Sequence, residues 1–144
     1  MMEAHYYNVN LNWLADRKGE IFSPELDEKF AIATPPQFPK GIEGIWSPEH
    51  LLTAAVSSCF MTTFLAIAEN FKLEFKSFSC AAKGKLEQMD GKFLITEIIL
   101  EPILEIVHEA DKEKADRVLQ KSEAACLISN SIKSKVSLIS TIKF

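Results

Sequence analysis

A chain of 144 residues, 47 % hydrophobic and 25 % charged, fits a single soluble domain. At this length about 70 % of the unfolded surface is buried without covalent staples. Twenty acidic against 16 basic residues give a formal charge of −4, and Arg17 and Arg117 are the only arginines. This argues against a nucleic-acid binder, which needs a basic face and bidentate phosphate donors. The apolar fraction excludes disorder, and no self-similar period marks a repeat.

From His5 to Trp13 the residues alternate, with Tyr7, Val9, Leu11 and Trp13 on one side and Tyr6, Asn8, Asn10 and Asn12 on the other. That period of two predicts a half-buried strand. Asp16-Arg17-Lys18-Gly19 reads as a turn, Glu20–Ser23 as the return strand of a hairpin and Lys29–Ala33 as a third short strand. The loop Thr34–Trp46 holds Pro35, Pro36, Pro39, Gly41 and Gly44. Loops of that length usually carry function or disorder.

Ser47-Pro48-Glu49-His50 reads as a helix start. Serine caps, proline fits the first helical position, and a glutamate suits the positive end of the dipole. The helix is expected to run to about Asn70. Its stretch Leu51–Ala68 is 18 residues without a charge, near the length of a membrane span. Thr53, Ser57, Ser58, Thr62 and Thr63 interrupt it, and no aromatic or basic belt flanks it, so a helix buried in a soluble fold is expected, with no membrane partner. Being apolar almost all round, it needs cover from a sheet or a partner on most sides.

Two long strands, about Phe75–Glu87 and Phe93–Val107, follow, joined by Met89-Asp90-Gly91-Lys92 with its Asp-Gly hairpin signal. Pro102 marks a bulge or an edge. Asp111–Ala124 is an amphipathic helix with Ala115, Val118, Leu119 and Ser122 facing in. A short helical piece near Leu127–Ser134 and a last strand, Val136–Ile142, close the chain. Hairpins without βαβ alternation give an α+β fold over residues 1–144, with antiparallel sheet packed on a long buried central helix.

The start of the chain shows no secretory signal, and three cysteines are an odd number. A reducing, cytoplasmic setting is expected. Cys59 falls mid-helix, Cys80 on a strand, and Cys126 where one helix ends and a short one begins. Inert core thiols are one reading. There is no CxxC or histidine pair, and His5, His50 and His108 are scattered, so neither metal nor cofactor is expected.

Trp46-Ser47-Pro48-Glu49-His50-Leu51-Leu52, followed by Ala54-Ala55 and Ser58-Cys59-Phe60, resembles the T-N-P-E-x-L-x-x-A-x-x-x-C-F signature of the osmotically inducible protein C and organic hydroperoxide resistance (OsmC/Ohr) family. Ala125-Cys126-Leu127-Ile128-Ser129-Asn130 resembles its second signature, C-P-x-S-N. The element order is also similar, so the resemblance covers the whole chain. It implies a thiol peroxidase that reduces organic hydroperoxides. By position, Cys59 matches the peroxidatic cysteine, Cys126 the resolving one, Glu49 the glutamate at the helix start, and Arg17 the arginine of the N-terminal hairpin.

The chemistry fits these residue types. Attack on an O–O bond needs a thiolate, and a free thiol with a pKa near ~8.5 is mostly protonated at neutral pH. Burial in an apolar helix raises that value further, so a cation such as Arg17, held by Glu49, is expected to compensate. The resemblance implies a Cys59 sulfenic acid, then a Cys59–Cys126 disulfide, and an external dithiol reductant of lipoyl type. Trp46, Phe38, Phe60 and Phe64 are candidates to line a site for a greasy hydroperoxide, or else core residues. Two positions depart from the pattern. Leu127 replaces the motif proline, which bears on the turn that sets Cys126, and Lys40 is the nearest cation in a loop that lacks the arginine of the OsmC branch.

Glu49 and Cys59 are ten positions apart on one helix, hence about 15 Å apart along its axis and roughly 80° apart around it. Glu49 therefore reaches a cysteine of another chain or orients a long arginine. With the apolar helix circumference, this predicts an intertwined homodimer with shared sites. The rival reading is a protein of this type without efficient turnover, binding a small apolar ligand or a partner.

Overall fold

The computed structural model describes residues 2–144. The chain forms two compact units, Met1–Leu51 and Leu52–Phe144.

The first unit is an antiparallel sheet of β1 (Asn10–Ala15), β2 (Lys18–Ser23) and β3 (Leu26–Ala33), in that order. The hairpin turn is tighter than the sequence suggests. Asp16 and Arg17 make it, with Asp16 in the left-handed region at φ 48°, while Lys18 and Gly19 already belong to β2. Gly19 serves close approach instead: a Cβ there would lie 2.8 Å from the Asn12 carbonyl oxygen. The expected half-buried strand begins later than His5, and neither of its faces is covered. Every residue of β1 is exposed, as are Tyr6, Tyr7 and Val9 before it. Alternation marks two faces, but burial needs a surface to lie against one of them. The ends of the long loop are pinned together, Ala33 N–H donating to the Trp46 carbonyl at 2.8 Å and Ile42 N–H to that of Thr34 at 2.9 Å.

Helix α1 (Pro48–Asn70) starts as read. Ser47 is fully buried, and its Oγ accepts from His50 N–H at 3.1 Å. His50 reciprocates: Nδ1 accepts from Ser47 N–H at 3.3 Å and lies 2.7 Å from Ser47 Oγ. This is a capping box with histidine in the place usually held by Glu or Gln. By length and composition α1 is apolar enough to cross a membrane. Yet one stripe of it, Val56, Phe60, Phe64 and Ala68 at i+4 spacing, is buried in the protein's own core. Met61 and Leu65, off that stripe, are exposed.

The second unit is built on a hairpin of β4 (Phe75–Met89) and β5 (Lys92–Ile106), turned at Asp90 (φ 50°) and Gly91 (φ 76°). Two consecutive positive φ values define the type I′ turn that Asp-Gly favours. The last strand is two short ones, β6 (Lys135–Leu138) and β7 (Thr141–Lys143), both parallel to β5. Pro102 is therefore neither at an edge nor at a bulge. It sits in β5 between the residues that pair with β6 and those that pair with β7, where a missing N–H breaks no ladder bond.

Ile98, Leu100, Leu104 and Ile106 of β5 face the α1 stripe, joined by Ala115, Val118 and Leu119 of helix α2 (Lys112–Ala125). The expected inner face of α2 is the observed one. Phe64 stacks on Phe78 at 4.8 Å and meets Phe75 edge-on at 5.2 Å. The strand β4 is small where α1 crosses it: a Cβ on Gly84 would meet Thr53 Oγ1. Phe60 and Phe64 are fully buried members of this core.

Candidate active site

Two elements of the second unit bring a pair of sulfurs together. Cys59 lies one residue before the buried Phe60 of α1, half-buried itself. Cys126 ends α2, fully buried, with φ −64° and ψ 114°. The chain then makes a single 3-10 turn, Ser129–Ser131, instead of the longer helical piece expected. Asn130 N–H donates to the Cys126 carbonyl at 3.0 Å, and its side-chain amide donates to that of Ala124 at 3.2 Å, which ties the turn to the end of α2. Cys59 and Cys126 are close enough for each to shift the other's pKa, and neither thiol is in a disulfide.

The two sulfurs differ electrostatically. Burial pushes the Cys59 thiol up, but the N–H of Ile128, the Cys126 thiol, the Thr63 hydroxyl and the N–H of Leu127 all favour the thiolate and together hold it below its ordinary value. Thr63 Oγ1 is 3.9 Å from the sulfur. For Cys126 burial wins. Ser129 offsets it in part, while the neighbouring Cys59 thiolate adds to the upward push. The Ser129 hydroxyl oxygen is buried with no hydrogen-bond partner among the described residues. The two neighbouring sulfurs are thus biased in opposite directions, Cys59 toward the thiolate and Cys126 toward the thiol.

The remaining site residues named from sequence lie in the first unit. Arg17 is exposed in the β1–β2 turn, and its carbonyl accepts from Thr34 N–H at 3.2 Å. Glu49 is half-buried in the first turn of α1, its Oε1 shielded from solvent. Lys40 is exposed at φ 64°. Trp46 packs edge-on to Phe30 and His50 at 6.4 and 6.0 Å, and with Gly44, Ile45 and His50 it lines a shallow hollow of about 280 Å³.

The donors around Cys59 escaped the sequence reading. Thr63 is four residues after Cys59 on one helix, a spacing that itself predicts contact. Leu127 and Ile128 contribute backbone N–H groups, which carry no side-chain signal. Among the described residues no group of three His, Cys, Asp or Glu side chains is placed to hold a metal. Cys80 stands apart on β4, paired with Pro102 of β5.

Comparison with known proteins places this arrangement in context. The model of the OsmC-like protein family matches residues 41–141, a span holding both cysteines and the capped start of α1. The uncharacterized protein YmaD of Bacillus subtilis is 28% identical over 145 residues, covering 95% of this chain and 93% of its own. Peroxiredoxin OsmC of Escherichia coli is 28% identical over 92 residues, 64% of each chain. Among solved structures, an organic hydroperoxide resistance protein from Elizabethkingia anophelis superposes with a TM-score of 0.79 at 21% identity, over 99% of both chains.

Proposed function

The chain belongs to the OsmC-like protein family, and from that premise we propose that it is a thiol-dependent peroxidase reducing organic hydroperoxides, with Cys59 as nucleophile and Cys126 as resolving thiol. The observation that carries this reading is the opposite bias of two adjacent sulfurs. Names of similar proteins point the same way, peroxiredoxin for one and organic hydroperoxide resistance for another.

The Cys59 thiolate attacks the distal oxygen of R–O–O–H. The S–O bond forms as the O–O bond breaks, the alkoxide leaves and takes a proton to become R–OH, and Cys59 becomes a sulfenic acid. Its negative charge is then gone, and with it one cause of the raised Cys126 pKa. Cys126 loses its proton more easily at that moment and attacks the sulfenic sulfur, expelling water and forming the disulfide. An external dithiol, lipoyl-type in our reading, returns two electrons and two protons by exchange. The sum is ROOH plus dithiol giving ROH, water and the oxidised dithiol.

Glu49 and Arg17 are assigned to a site shared in a homodimer. A second copy is the occupant we assign to the apolar surface left bare in one chain, Val9, Leu11 and Trp13 at β1 and Met61 and Leu65 on α1. A reducing cytoplasmic setting suits three free thiols.

Free-thiol titration after addition of tert-butyl hydroperoxide tests the activity. Two thiols lost per chain and restored by dithiothreitol is the expected result. No thiol lost would instead leave a binding protein built on the same fold.

A further inference from the structure

Cys59 and Cys126 differ in how far an incoming molecule can reach them. Cys126 is 0 % exposed, and the chain around it is fastened on both sides. Its N–H donates to the Glu123 carbonyl at 3.3 Å, and its carbonyl accepts from Asn130 N–H at 3.0 Å. The Asn130 side-chain amide donates in turn to the Ala124 carbonyl at 3.2 Å. This sulfur is enclosed and cannot swing out. Cys59 is half-buried on α1.

Helix geometry shows which side of Cys59 is open. The core stripe runs through Val56, Phe60, Phe64 and Ala68. Met61 and Leu65, which we assign to a second copy, lie roughly 200° and 240° around the helix from Cys59. Neither face takes the side where Ala55, Thr62 and Ala66 fall, all within roughly 60° of Cys59. Thr62 and Ala66 are exposed, and all three side chains are small. Bulk on α1 therefore does not block an approach to Cys59 from that side.

Thiol–disulfide exchange is an in-line displacement, so the attacked sulfur must be open on the side away from its partner. We propose that the external dithiol attacks Cys59 and not Cys126, so that hydroperoxide and reductant enter by one opening and the reductant is held on Cys59 as a mixed disulfide. The inference rests on the peroxidase reading for the Cys59–Cys126 disulfide. A thiolate of the dithiol bonds to the Cys59 sulfur as the Cys59–Cys126 bond breaks. Cys126 leaves with the electron pair and takes up a proton, which restores the buried thiol. The second thiol, once deprotonated, attacks the reductant sulfur of the mixed disulfide, expels the Cys59 thiolate and closes a cyclic disulfide. Leaving-group stability alone favours the opposite direction, because Cys59 is the sulfur biased toward the thiolate. Access decides instead. A sulfur with no exposed surface is not approached without local unfolding.

Trapping the mixed disulfide in the full chain tests it. Diamide makes the Cys59–Cys126 disulfide without any peroxidase activity, and 2-mercaptoethanol, a monothiol, then attacks it but cannot complete the second step. Rapid acid quench, alkylation of the freed thiol in denaturant and peptide mapping by mass spectrometry locate the adduct. The expected result is 2-mercaptoethanol on Cys59 and the alkyl group on Cys126. The reverse labelling, or an adduct divided evenly between the two, overturns the proposal. Where the adduct reverses too quickly to be caught, the rate of reduction by dihydrolipoamide answers instead. Ala66→Trp is expected to slow it roughly tenfold by obstructing the approach to Cys59, and Ala66→Ser to keep the wild-type rate. Equal rates in all three proteins overturn the proposal, as does a chain in which diamide forms no Cys59–Cys126 disulfide. A disulfide that diamide forms and tert-butyl hydroperoxide does not would sink the proposed function and leave this inference standing.

Discussion

Cys59 on α1 and Cys80 on β4 are both half-buried thiols of the same unit, and burial pushes both up. They end on opposite sides of the ordinary value. Cys80 Sγ lies 3.5 Å from the Ala81 carbonyl, to which it can only donate, and the Glu101 carboxylate nearby disfavours a second negative charge. The one thiolate-favouring contact, from the Glu101 backbone, is too little. Cys59 instead gathers donors from the turn behind Cys126 and from Thr63 one helical turn away. Donors, more than exposure, separate the two thiols here.

Substitutions can break or sharpen that contrast. Cys59→Ser is expected to reduce peroxide consumption to the uncatalysed background, since no other sulfur in the chain has its donors. Cys126→Ser keeps a hydroxyl beside Cys59, so the first attack should survive and the cycle should then stall after about one hydroperoxide per chain. Mass spectrometry should find Cys59 as sulfenic or over-oxidised sulfur; a Cys59 that stays a thiol under excess organic hydroperoxide contradicts the assignment. Thr63→Val removes one weak donor, and roughly a two- to threefold loss of rate at fixed pH is expected, recovered as pH rises. Cys80→Ala should leave turnover within about twofold and cost roughly 1 kcal/mol of stability, read by chemical denaturation. A collapse in rate without unfolding would place Cys80 in the chemistry after all.

Much of the fold was legible because its signals are local. Ser47-Pro48 fixes the start of α1, Asp90-Gly91 fixes the β4–β5 turn, and the spacing of Ala115, Val118, Leu119 and Ser122 fixes the inner face of α2. What failed depended on partners distant in sequence. The alternation of Tyr7, Val9, Leu11 and Trp13 says that two faces exist, not that anything covers one. Pro102 in a central strand makes sense only once β6 and β7 are seen to part beside it. The same holds for the candidate site. The motifs single out the two cysteines, whereas half of the groups that favour their thiolates are main-chain amides, which carry no side-chain signal.

The central claim is that Cys59 is biased toward the thiolate while Cys126 and Cys80 are biased against it. Peptide-resolved alkylation of the reduced wild-type protein across pH measures all three at once. The account predicts a Cys59 midpoint below the ordinary thiol value of about 8.5, with Cys126 and Cys80 above it. A Cys80 midpoint at or below that of Cys59 would contradict it.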